Sequence, residues 1–377
     1  MMTKPLDRLL SPPELQKDDA SLLGTTQRIR LPRDWPLEEI IICVDVTRGA
    51  DAYAAPTGDS ILSILKRVRL VTNHKKHRTV VDYSGAGLVE LGPEIGLNYD
   101  VATLGAIASV GTASQLLRIF YRIPFVPPVL SEPLRSFMLL PVHQHDMEPE
   151  LQLDFGVSAD VGATGTVTKV CASIMLRQRM MTPSVDAMIA AKGGYIESDL
   201  IETVYTVPVG VSGEQRFDIL QPGQYAGIHA RFYVGTAAPV IRGDISLSKT
   251  VTAPTVWTLE SGGFRFRAGS LRHFAAINQF SKTVNAHTAL PLWPALATNT
   301  QYHEAAGVYF DFLSDGLTDA NELGSLLDCN FSANNGQKMQ LIGAVAAPTT
   351  NAHVVKIGGH RFMGDLSRWQ ADTAKAA

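Results

Sequence analysis

The sequence predicts an all-β chain made of two tandem β-sandwich units of one design, with short helices and a helix between the units. Three observations carry this. Short runs of alternating apolar and polar residues, the period of a strand with one buried face, recur along the chain between turn signals. One helix signal interrupts them in mid-chain, at residues 182–194. The two halves also repeat one pattern at a constant separation.

Residues 1–30 read as an N-terminal arm, because Pro, Asp, Lys and Ser are mixed with the isolated pairs Leu9-Leu10 and Leu22-Leu23, enough for an amphipathic turn but not for a core. The first unit, 31–181, opens with Ile40, Ile42, Val44 and Val46 alternating with Ile41, Cys43, Asp45 and Thr47. Val68, Leu70 and Thr72, a basic turn (His74, Lys75, Lys76, His77, Arg78) and Val80-Val81 read as a hairpin. Residues 85–111, rich in glycine and small side chains, give no assignment. Leu117, Ile119, Tyr121, Ile123 and Phe125 restore the alternation, which Pro127-Pro128 stops, and strands at 137–142, 151–157 and 167–176 follow.

The linker helix, 182–194, has Thr182 as N-cap and Pro183 at its first position. Val185, Met188 and Ile189 share a face, and Gly193-Gly194 ends it. The second unit, 195–364, carries strands at 201–208, 216–220, 228–234, 256–267, 308–313, 326–331, 339–345 and 354–357, with a long excursion at 281–305. Asn335-Gly336 between two alternating runs is a hairpin turn signal. Residues 365–377 form a short polar tail.

Composition limits the function classes. Lys and Arg number 33 against 36 Asp and Glu, a formal net charge of −3, which argues against a nucleic-acid binder working through bulk charge. Three widely spaced cysteines, Cys43, Cys171 and Cys329, make neither a disulfide framework nor a cysteine-rich zinc site, and read as reduced thiols buried in strands. Charged residues at 18% fall below the roughly 25% of ordinary soluble domains, which suggests a surface covered by other subunits. Prolines and charges interrupt the N-terminus, unlike a secretory signal, and the apolar stretch at 101–113 is too short to span a bilayer. A soluble chain kept in a reducing compartment is expected.

The repeat is the most informative feature. Tyr121 and Tyr309, Ser131 and Asp319, Leu139 and Leu327, and Gln152 and Gln340 all stand 188 residues apart, so each half carries strand, short helix, strand, strand at one spacing. The first strand fits imperfectly: Tyr121 shares a face with Ile119 and Ile123, whereas Val308, Phe310 and Phe312 lie opposite Tyr309, so a one-residue register change or bulge is required there.

With two similar β units, the helix at 182–194 and the texture of residues 119–155 (IFYRIPFVPPVLSEPLRSFMLLPVHQHDMEPELQLDF), the sequence resembles the double jelly-roll major capsid proteins of tailless icosahedral viruses, a group that includes tectivirus-like bacteriophages with an internal membrane. The resemblance covers about residues 30–365. It implies two tandem jelly-roll β-sandwiches, no enzymatic activity, and a homotrimer of six similar sides that tiles an icosahedral capsid in the virion. It further implies penton and minor capsid proteins as partners, assembly in the host cytoplasm, and no direct sequence-specific contact with nucleic acid. By the same analogy the arm, through Lys4, Arg8, Leu9, Leu10, Lys17, Leu22 and Leu23, contacts an internal viral membrane or adjacent trimers. A virion spike or host-recognition β-protein, and a β-sandwich hydrolase, are the alternatives.

Candidate chemistry is sparse. Gly58-Asp59-Ser60 has the local pattern of a GDS-type esterase, but neither His353 nor His360 brings the Asp-x-x-His partner such an enzyme needs, and a turn capping 60–66 is expected. His143, His145, Asp146 and Glu148 lack a third imidazole and read as a solvated loop. Residues 74–78 read as a charged hairpin tip. Asp311, Asp315 and Asp319, with Asn321, offer hard oxygen ligands without EF-hand spacing, so a structural Ca²⁺ is the only cofactor to consider. No phosphate-binding glycine motif occurs.

Overall fold

The computed structural model describes residues 4–49, 59–72, 78–94, 115–126, 132–161, 166–219, 223–235, 241–250, 252–271, 273–274, 307–311, 327–328 and 337–363. The first half supplies strands β1 (Lys4–Leu10), β2 (Thr26–Arg30), β3 (Leu37–Arg48), β4 (Leu65–Thr72), β5 (Arg78–Tyr83), β6 (Gln115–Pro124), β7 (Glu150–Phe155) and β8 (Val167–Met180). The second supplies β9 (Glu197–Val207), β10 (Gly213–Ile219), β11 (Gln224–Val234), β12 (Ile241–Arg242), β13 (Trp257–Ser261), β14 (Phe264–Gly269), β15 (Gly307–Asp311), β16 (Leu327–Asp328), β17 (Met339–Val345) and β18 (His353–Met363).

Each half is a sandwich of two sheets. In the first, β1-β8-β3-β6 faces β5-β4-β7-β2, and the alternating residues Ile40, Ile42, Val44, Ile119, Ile174, Val68, Leu70, Leu151 and Leu153 meet in one buried core. In the second, β9-β18-β11 with β15 faces β10-β17-β13-β14 around Phe217, Ile228, Phe232, Trp257, Leu259, Phe310, Leu341 and Val355. The two lists are the same topology, with β9 in the place of β1, β10 of β2, β11 of β3, β13 of β4, β14 of β5, β15 of β6, β17 of β7 and β18 of β8, while the two-residue strands β12 and β16 are additions on β11. Even the bulges coincide: β3 shifts register against β8 between Leu37 and Glu39, and β11 against β18 between Tyr225 and Gly227, 188 residues on. The β4–β5 and β13–β14 hairpins shift between Leu70 and Val71 and between Leu259 and Glu260.

The register change expected at Tyr309 is present. Ile40 opposes Ile123 in the first unit and Ile228 opposes Phe310 in the second, so β15 repeats β6 one residue early and Phe310 enters the core.

The arm reading is corrected. Residues 4–30 are built into the first sandwich: β1 pairs with β8 along its whole length and β2 with β7, while Leu15 and Leu22 are buried and Leu10 and Leu23 pack against the core. The period-two signal is missing from β1 because it is a sheet edge exposed on both faces. Three further expectations change. Residues 85–94 form a helix, Gly85–Glu94, that glycine content hid. Residues 137–142 contribute an isolated bridge, Leu37 to Leu140, because the helix Glu132–Phe137 and the 3-10 turn Val142–Gln144 use the rest. Residues 256–267 fold as the β13–β14 hairpin, turning at Gly262 and Gly263. Asn335-Gly336, 281–305, Cys329 and 365–377 lie outside the described residues.

The linker helix, Pro183–Ala191, follows its sequence signals. Thr182 is extended and its carbonyl accepts the first helical bonds, and Gly194 at φ 99° returns its N–H to the Ile189 carbonyl at 2.9 Å. Val185 and Ile189 bury against Phe137, Met138 and Leu139 of the first unit and Ala226 and Phe362 of the second, a small core of its own.

If residues 4–30 belong to the fold, Leu22→Ala lowers the unfolding free energy by about 2–5 kcal/mol in denaturant titration, whereas Leu9→Ala, two-thirds exposed, changes it by less than about 0.5 kcal/mol. Equal small effects at both positions contradict the corrected reading.

Candidate functional site

The candidate histidines among the described residues are held in contacts within the fold. His143 sits in the turn before β7, edge-on to Tyr195 at 5.7 Å and 3.6 Å from Asp186 of the linker helix, while the backbone carbonyls of His145 and Asp146 accept from Arg33 at 2.7 and 2.8 Å. His353 accepts the Gly235 N–H at Nδ1, 2.9 Å away, and its Nε2 meets the Ala346 carbonyl at 3.0 Å. Among the described residues no three His, Cys, Asp or Glu side chains are grouped to hold a metal ion. Asp311 ends β15, and Asp315, Asp319, Asn321 and the 74–77 turn lie outside the described residues. Cys43 and Cys171 are free and half-buried on the outer face of β3 and β8 rather than in the core.

Asp59 finds a different role. Its carboxylate is buried and accepts the Tyr233 hydroxyl at 2.8 Å to each oxygen, with Lys356 Nζ at 3.6 Å and the Arg231 guanidinium at 3.9 Å. Asp59 comes from the first unit and its three partners from the second, so this cluster lies on the joint between the sandwiches. Beside it Arg231, 1% exposed, donates to Glu202 and to the Ser84 hydroxyl, and the Ser84 N–H donates to Glu202 at 3.1 Å. Arg78 of β5 pairs with Glu197 and approaches Asp199 at 3.6 Å, and Arg361 holds Asp199 through a second guanidinium. The Ser198 hydroxyl donates to the Phe125 carbonyl at 3.0 Å.

Backbone completes the joint. β5 and β9 run parallel, with Val81 beside Leu200 and Asp82 beside Ile201, so one sheet of each sandwich joins into a single ten-stranded sheet. Tyr83 packs on Gly358, where an added Cβ would lie 2.5 Å or less from the ring and hydroxyl. Burial alone would raise the Glu202 carboxyl, but Arg231 and Lys356 more than offset this and hold it below the ordinary glutamate value. Nothing in the sequence joins these residues, since they stand far apart along the chain; the polar row His229, Arg231, Tyr233 in an otherwise apolar strand was the available signal.

His360, buried in β18 with its ring 4.9 Å from Phe362, is pushed down to about 4 by burial. The unfolded chain takes up this proton near pH 6.5, before the folded chain does, so stability falls as pH drops from 6.5 towards 4. Between pH 7 and 5 the wild-type protein therefore loses more unfolding free energy than His360→Gln does, by about 2 kcal/mol in urea titrations. Parallel pH profiles contradict this.

No family model and no curated protein matches the chain. Solved structures do. A chain in the atomic structure of Sulfolobus Turreted Icosahedral Virus is 15% identical with a TM-score of 0.63, over 96% of this chain and 91% of that one. The PBCV-1 virus capsid is 12% identical with a TM-score of 0.55, over 97% and 96%. The major capsid protein of bacteriophage PM2 is 10% identical with a TM-score of 0.52, over 95% and 98%. Likeness at this identity speaks for the fold, and with the repeated strand order and matched bulges it gives the architecture: two tandem jelly rolls in one chain, a double jelly roll.

Proposed function

We propose that the chain is a major capsid protein, three copies of which form a pseudo-hexagonal trimer, and that many trimers tile an icosahedral shell. The observation that carries this reading is the whole-chain likeness to capsid proteins in a molecule whose two halves share one strand order. Three copies of two similar units present six similar sides, and a rigid sandwich with loops at its ends suits a shell block. The low charge fraction agrees with a surface flanked by neighbours.

The role is structural, with no reaction and no cofactor, and its place is the virion capsid, assembled in the host cytoplasm. Partners are copies of itself, then penton and minor capsid proteins, with no sequence-specific nucleic acid. Of the arm residues, Leu22 is buried, and Leu10 and Leu23 pack on the core, so they serve the fold. Lys4, Arg8, Leu9 and Lys17 are exposed and remain for a neighbour or an internal viral membrane.

Particles carrying this protein test the reading. Imaging and quantitative mass analysis are expected to give hundreds of copies per particle arranged as six-sided capsomers of three chains. A few copies confined to vertices favour a spike and refute the shell role.

A further inference from the structure

The joint inside the chain has a counterpart on each of the chain's two free sides. In the second unit, the face made by β9, β18 and β11 carries the row Glu202, Gly358, His229, which the first unit covers. The same ladder positions in the first unit are Leu9, Met175 and Ile41, with Cys43 in the place of Arg231. Leu9 is 67% exposed, and among the described residues β1 ends its sheet as β9 would if β5 were removed.

The covering corner repeats as well. In the first unit it is β5, then Ser84, whose hydroxyl caps the following helix at the Gly87 N–H (3.3 Å) and whose carbonyl accepts from Leu88 (3.0 Å). In the second it is β14, then Ser270, whose hydroxyl caps the His273 N–H (3.4 Å) and whose carbonyl accepts from Phe274 (3.1 Å). The first corner is docked. The second is an open cleft of about 140 Å³ lined by Ser248, Lys249, Thr250, Ser270, Leu271 and His273, beside β14, which among the described residues is a sheet edge and whose Phe264 is 66% exposed.

We propose that β14 of one copy pairs in parallel with β1 of a second copy, repeating between chains the β5–β9 joint found within each. This rests on the capsomer reading above and gives it a register. Matching the coincident bulges sets Ala268 in the place of Asp82 and Arg8 in that of Ile201, and so Arg267 in the place of Val81 beside Asp7 in that of Leu200. Opposite charges thus meet at the edge. The contact is head to tail, joining different surfaces of two identical chains, and such contacts close into rings when the rotation allows. Behind the strand edge the first unit's face is apolar at Leu9, Met175 and Ile41, where the equivalent face of the internal joint is ionic.

Neighbouring parallel strands lie about 4.8 Å apart, within the reach of a disulfide. The full chain carrying Arg8→Cys and Ala268→Cys, mildly oxidised, is expected to form covalent dimers and closed trimers on non-reducing gels. Each single variant, and Lys4→Cys with Ala268→Cys, a partner roughly 13 Å along the strand, should stay near background. The wild-type mass in solution is measured alongside. A trimer whose Arg8–Ala268 pair links no better than the controls overturns the proposed contact and leaves the capsomer reading standing. A wild-type chain that is monomeric under all assembly conditions overturns both.

Discussion

Two residue pairs of parallel backbone, Val81 beside Leu200 and Asp82 beside Ile201, turn two sandwiches into one block. So short a ladder would slip without the side chains around it. Glu202, Arg231 and Asp59 are nearly removed from water, and each buried charge is tolerable only while its partners are in place, since stripping one partner from a buried pair costs about 3–5 kcal/mol. The same charges that make the joint expensive to open fix its register. Any slip of β5 along β9 would part Ser84 from Glu202 and Arg78 from Glu197 together.

This constraint explains how two halves of one topology can differ in chemistry. The outer face of the second unit bears His229, Arg231, Tyr233 and Lys356 because it meets Asp59, Tyr83 and Ser84 of the same chain. The equivalent face of the first unit bears Ile41, Cys43, Asp45 and Ser173. The sandwich interiors stay alike in kind, alternating aliphatic and aromatic residues, because both solve the same packing problem. The linker helix adds a third, smaller core that ties Phe137 and Met138 to Ala226 and Phe362.

Much of this was legible in the sequence where one face of a strand is buried. The rows Ile40 to Val46 and Leu117 to Phe125 betray themselves by period two, and the linker helix by Thr182, Pro183 and Gly193-Gly194. The offset between the halves even forecast the slip at Tyr309. Strand β1 was invisible because an edge exposed on both faces needs no pattern, and Leu15 and Leu22 because single buried leucines in polar sequence resemble a tether. The joint was illegible for another reason: Asp59, Ser84, Glu202, Arg231 and Lys356 gain meaning only once the fold brings them together, so in sequence Asp59 reads only as part of a turn. The aspartates around 311–319 lie largely outside the described residues.

The two jelly rolls behave as one unit, locked by the β5–β9 ladder and its buried charges. Differential scanning calorimetry of the full chain at neutral pH tests it most directly. One cooperative transition, with calorimetric and van't Hoff enthalpies in agreement, is the expected result, and Glu202→Gln should split or broaden it. Two separate transitions in the wild-type protein would contradict the claim.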